Sequence, residues 1–97
     1  MRVVYSDAMV APAQGFSPSA AKPAEVMAAW RLRWPEMTVR PPVPVTEEDL
    51  CRAHDRTYVW DVLDKRLPNG FGTFSDEVNA SLFHTSGAML TAARWAL

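Results

Sequence analysis

Cysteine is almost missing from this chain: Cys51 stands alone among 97 residues. A single thiol excludes an internal disulfide framework and a cysteine-rich zinc site. With no activating partner nearby in sequence, Cys51 reads as a small buried hydrophobe. Histidine is nearly as scarce, with only His54 and His84. There is no HExxH, tandem His, Asp-x-His or P-loop pattern, and His84 has no second His or carboxylate at metal-ligand spacing. No apolar run approaches the roughly 18 residues of a membrane span. The stretch Met1-Arg2-Val3-Val4-Tyr5 is too short for a signal peptide. Neither sign of charge is in excess, since ten basic residues face eleven acidic ones. That balance removes any general attraction to nucleic acid or anionic membrane, and does nothing to discourage self-association. The expected location is cytoplasmic, with neither nucleic acid nor membrane as partner.

What the chain does have is apolar surface. Hydrophobic residues make up 48% of it and the mean hydropathy is −0.12, values of an ordinary globular protein. A length of 97 residues gives a single domain, 1–97, burying roughly two-thirds of its unfolded surface. Four tryptophans in so short a chain imply large apolar faces that need cover.

The order of elements predicts a small α/β fold. Residues 2–6 are β-branched and aromatic and read as a short strand. From Asp7 to Lys22, with Pro12, Gly15 and Pro18, a long loop is expected. Over 23–34 the pattern turns helical: Pro23 suits a first turn, and Val26, Met27, Trp30 and Trp34 form one apolar stripe. That stripe assigns both tryptophans to the core. Residues 37–40 read as a second strand, stopped by Pro41-Pro42. Strand, crossover helix and strand make a βαβ unit with parallel pairing.

Helices follow near 47–53, 56–66 and 76–97. Thr46 and Asp49 are spaced for a capping box, and Ser75 for an N-cap. Asp61 and Asp64 read as solvated charges. Two short parallel strands would leave sheet edges exposed. The final run, Ser86 to Leu97, carries no Gly or Asn C-cap and no following Pro. It therefore predicts an apolar edge covered by a second chain, with Met89, Trp95 and Leu97 in the interface. If Gly87 does not interrupt the last helix, the small residues around it permit close packing by a neighbour.

Two places carry chemical interest. His54 precedes Tyr58 by four residues, so the pair would share a helix face. A structural hydrogen bond near a helix start is favoured there over a base or metal ligand. In Asn69-Gly70-Phe71-Gly72, glycines on both sides of an aromatic either present Phe71 as a contact or make a plain turn that buries it.

In their order, these segments resemble the start of the histone deacetylase superfamily, particularly its bacterial deacetylase-like and acetylpolyamine amidohydrolase branches. The resemblance is carried by Val3-Val4-Tyr5-Ser6, Pro18 to Pro23, Arg40-Pro41-Pro42, Thr46 to Leu50, His54-x-x-x-Tyr58-Val59, Asn69 to Thr73, and Thr85 to Ala93. It implies a partial arginase-like α/β fold. The zinc ligands, the tandem His pair and the transition-state tyrosine come later in that family, so no catalytic or metal residue transfers. Zinc hydrolysis needs several protein ligands and an open position for water, which two isolated histidines do not build. No cofactor is expected in this chain alone, and zinc enters only if a partner chain supplies ligands. By the same resemblance, Asn69, Gly70, Phe71 and Gly72 lie at a channel rim or partner contact, while His54 and Tyr58 match a feature outside the metal site. The implied function is a non-catalytic deacetylase-like module that self-associates, a dimer being favoured, or docks on a deacetylase-like partner chain. The alternative is one half of a split amidohydrolase acting on acetyl-lysine or acetylpolyamine.

Overall fold

The computed structural model describes residues 1–13 and 17–97, so Gly15 of the expected loop lies outside the described residues. Its elements run β1 (Arg2–Val4), α1 (Lys22–Arg33), β2 (Thr38–Arg40), α2 (Glu47–Ala53), α3 (Arg56–Leu63) and α4 (Asp76–Ala96). Short 3-10 turns at Asp7–Met9 and Ser19–Ala21 give local order to the described ends of the expected loop. Among the described residues no helix is long and apolar enough to cross a membrane.

β1 and β2 pair in parallel, with Arg2 opposite Thr38, Val3 opposite Val39 and Val4 opposite Arg40. The side-chain period of two sends Val3 and Tyr5 to one face and Arg2, Val4 and Arg40 to the other. On the first face Val3 and Tyr5 pack with Met27 of α1, flanked by Met9, Val10 and Met37. On the second face lies the C-terminal end of α4. Both faces of this two-stranded sheet are therefore covered by helix, as parallel sheets require. A second cluster joins Ala11, Ala20 and Val78, with Phe71 packed against it.

The stripe on α1 is only partly realised. Met27 is 3% exposed, but Trp30 and Trp34 are 39% and 44% exposed, contrary to the expected core role. The reason is width: a sheet of two strands offers α1 one residue-wide contact line, and the rest of the stripe has nothing beneath it. The tryptophans instead lean edge-on against each other, with ring centroids 6.3 Å apart.

α3 stops at Leu63 and not at Arg66, for an identifiable reason. Lys65 adopts the left-handed conformation (φ 62°). Its N–H donates to the Val62 carbonyl at 3.1 Å, and the Arg66 N–H to that of Asp61 at 2.8 Å. This pair of bonds is a Schellman stop, made here with lysine where glycine is usual. The Arg66 guanidinium then bonds the carboxylates of Asp61 and Asp64 at 2.9 and 3.0 Å, so these acids are paired.

The expected caps form. The Thr46 hydroxyl accepts from the Asp49 N–H, while the Asp49 carboxylate accepts from the Thr46 N–H. The Ser75 hydroxyl accepts from the Val78 N–H. Gly87 does not interrupt α4. It is where the Val43–Pro44 backbone crosses the helix, close enough for the Val45 N–H to reach the Phe83 carbonyl at 3.0 Å. The Val43 N–H is bound in turn by the Thr91 hydroxyl at 3.0 Å.

Candidate functional site

α2, α3, the 69–73 turn and α4 enclose a cleft of about 330 Å³. Its walls are mainly apolar, with Leu50, Val59, Val62, Leu63, Leu82 and Phe83 among them, together with Asn79 and Ser86. His54 and Tyr58 also line it, together with Gly70 and Phe71, so the two segments of chemical interest meet in one place. His54 and Tyr58 do not share a helix. α2 ends at Ala53, His54 is extended, and the Asp55 carboxylate caps α3 by accepting from the Tyr58 N–H at 3.2 Å. The two rings nonetheless lie near each other, with centroids 6.2 Å apart and planes tilted by 49°. Both side chains are exposed.

The turn at the cleft is built by Asn69. Its side-chain carbonyl accepts from the Phe71 and Thr73 N–H groups at 3.0 and 3.3 Å. Its amide donates to the Thr73 hydroxyl at 2.9 Å and to the Asn79 side-chain carbonyl at 3.1 Å. Asn79 donates onward to the Val62 carbonyl at 3.1 Å, which ties the turn to α3 and α4. Asn69 is thus a buried organiser, while Gly70 is exposed and Phe71 half-buried against Val78. Of the two glycines only Gly72 needs to be one, since it alone sits at positive φ (75°). Phe71 serves both readings of the turn, with part of its ring in the core cluster and part on the cleft.

The residues expected at an interface lie apart from this cleft. Met89 and Leu97 are exposed to solvent, at 78% and 106%. Trp95 is half-buried inside its own chain. The Arg40 guanidinium lies 4.1 Å from its ring centroid and that of Arg2 5.4 Å. Arg2 also donates to the Trp95 carbonyl at 2.9 Å, placing positive charge at the negative end of α4. Sequence reasoning missed this cluster, although the signal existed: Arg2 and Arg40 fall on the same face once the two strands are set in register.

No family model, curated protein or solved structure matches this chain. The chemistry of the site therefore rests on the residues themselves. Among the described residues no group of three His, Cys, Asp or Glu side chains is gathered as a metal site would require. Cys51 is partly exposed on α2. The cleft is a mainly apolar concavity with the exposed His54 imidazole and Tyr58 phenol among its lining groups, the mix of apolar wall and few polar groups common to small-ligand clefts.

Two side chains carry shifted acidities. Burial pushes the Tyr5 hydroxyl up from its ordinary value, assisted by its 2.9 Å hydrogen bond to the Asp7 carboxylate and opposed by Arg31. Hydrogen bonds from the Thr46 N–H and hydroxyl hold the Asp49 carboxyl below its ordinary value. Neither group belongs to the cleft, so both shifts concern stability.

Proposed function

We propose that this chain is a non-catalytic, deacetylase-like α/β module whose role is to associate, first with a second copy of itself. One observation carries the reading. The sheet is covered by helices on both faces, in the manner of a buried parallel sheet, yet among the described residues it contains only two strands. Such a sheet has helices without enough strand beneath them, which is why Trp30, Trp34 and Val26 stand exposed on α1. Association supplies the missing neighbour. Docking on a deacetylase-like partner chain would do so equally, and the ordered resemblance to that superfamily supports this form of the proposal. The test is sedimentation of the chain at micromolar concentration. A mass of twice 10.8 kDa is expected, and a monodisperse, folded monomer overturns the self-association.

A second reading draws support from the convergence of His54, Tyr58 and the 69–72 turn on one cleft. These are segments on which the resemblance rests, and their meeting suits the rim of a substrate channel completed by another chain. In that reading the chain is half of a split amidohydrolase, with the partner supplying the zinc ligands. It requires zinc-dependent hydrolysis of acetyl-lysine or acetylpolyamine analogues only when both chains are mixed.

A further inference from the structure

The two edges of the sheet differ. β2 offers little on its outer side: only Val39 turns both its peptide groups outward there. The Met37 N–H is already bound to the Trp34 carbonyl at 3.2 Å, and Pro41 and Pro42 have no N–H to give. Proline at a strand end is a standard block against further pairing. β1 is the opposite case. The Tyr5 N–H bonds the Arg40 carbonyl at 2.9 Å and the Thr38 N–H bonds that of Met1 at 2.8 Å, so the odd-numbered residues of β1 face β2. The N–H and C=O groups of Arg2 and Val4 therefore point away from it. Beside this strand runs an open, mainly apolar groove of about 310 Å³, lined by Val3, Val4 and Tyr5 on one side and by Pro23, Val26 and Trp30 of α1 on the other, with Met9, Ser19 and Lys22 also on its wall.

We infer that this groove is filled by β1 of a second copy, paired antiparallel about a two-fold axis at Val3. The inference rests on the self-association proposed above and names its interface. The register follows from the groups left free. Setting Arg2 opposite Val4 of the copy, and Val4 opposite Arg2, satisfies all four outward groups of each strand. It also keeps like charges from facing one another. Pairing Arg2 with Arg2 would set two guanidinium groups directly opposite. Centring on Val4 would recruit Ser6, whose carbonyl already accepts from the Met9 N–H at 3.0 Å. With the axis normal to the sheet, both α1 helices fall on the same face, and Val26 and Trp30 of each approach their counterparts. The result is a four-stranded sheet, β2-β1-β1-β2, whose outer edges are the two proline-stopped ones. The contact is isologous and closes on itself.

Two variants test this. Val4→Pro removes an outward N–H that the β1–β2 ladder does not use. The variant is expected to keep its far-UV spectrum while its dimer dissociation constant rises at least tenfold, on the order expected for losing two symmetry-related hydrogen bonds. In a Cys51→Ser background, Val3→Cys is expected to oxidise to a covalent dimer. Residues meeting at such an axis form a non-hydrogen-bonded pair about 4.5 Å apart at Cα, within disulfide reach. Val39→Cys, on the blocked edge, is expected to give none. A parent dimer that ignores Val4→Pro and cross-links at Val39 but not Val3 overturns the β1 interface while leaving self-association intact. A folded, monomeric parent overturns both, whether or not an added apolar β-strand peptide then binds the edge. If Val4→Pro does not fold, the cross-link at Val3 decides alone.

Discussion

Asn69 is the side chain on which the local architecture depends most. Buried and using both oxygen and nitrogen, it holds the 69–73 turn closed and joins it through Asn79 to α3. Replacing it by alanine strands the Thr73 N–H and the Asn79 carbonyl oxygen in a buried setting. Unpaired buried groups cost about 1–3 kcal/mol each, so Asn69→Ala is expected to lose about 2–4 kcal/mol in urea denaturation. Tyr5 sets an alkaline limit. Its hydroxyl is held protonated by burial and by the bond to Asp7, so its folded pKa lies above the ordinary value of 10.0. The stabilisation is fully present below that value and is lost as pH rises through the folded one. Thermal melts of the parent are therefore expected to fall above about pH 10 more steeply than those of Tyr5→Phe. For Asp49 the sign is reversed, with stability present above 3.8 and lost as pH falls through its lowered folded value.

At the scale of elements, the crossing of α4 by the Val43–Val45 segment is the contact most sensitive to volume. A β-carbon on Gly87 would collide with the Val43 carbonyl oxygen and lie 2.9 Å from the Pro44 α-carbon, both backbone atoms that cannot swing aside. Gly87→Ala gains about 1 kcal/mol of helix propensity. Against that stand overpacking, at about 1–3 kcal/mol, and the strained Val45–Phe83 hydrogen bond, at about 1. The net expectation is a loss of about 2 kcal/mol, measurable by chemical denaturation, whereas glycine to alanine on an open helix would stabilise. Helix starts were legible in the sequence because caps are local: Thr46, Asp49 and Ser75 bond amides within three residues of themselves. The end of α3 was not, because a Schellman stop at lysine gives no compositional signal.

For the whole molecule, the dimensions of 43 × 31 × 14 Å describe a thin slab with little interior. Among the described residues, Val78 is the only larger side chain that is fully buried. A chain so shaped gains more from a neighbour than a sphere of equal mass. If the folded form is a dimer, mass action ties its stability to concentration. The melting temperature is then expected to rise by several degrees between 1 and 100 µM protein, on the order given by linkage for a hundredfold change. A concentration-independent melt would mark a self-sufficient monomer. The exposure of Trp30 and Trp34 belongs to this scale as well. Periodicity identified an apolar stripe on α1, but how much of it is covered depends on the number of strands beneath, which no helix sequence encodes.

By itself the sequence determined the identity and order of the elements and the capped helix starts, because these follow from interactions between residues close along the chain, and the parallel βαβ arrangement, because a crossover helix between two strands returns the chain to the same end of the sheet. It also placed His54, Tyr58 and the 69–72 turn among the residues of interest. Only the tertiary structure decided that these line one cleft, that Asn69 organises the turn beside it, that Trp95 lies against Arg2 and Arg40, and that β1 turns the Arg2 and Val4 peptide groups away from β2. Those outcomes depend on residues as far apart as Arg2 and Trp95 arriving at one place, and on which peptide groups remain unpaired once the sheet has formed.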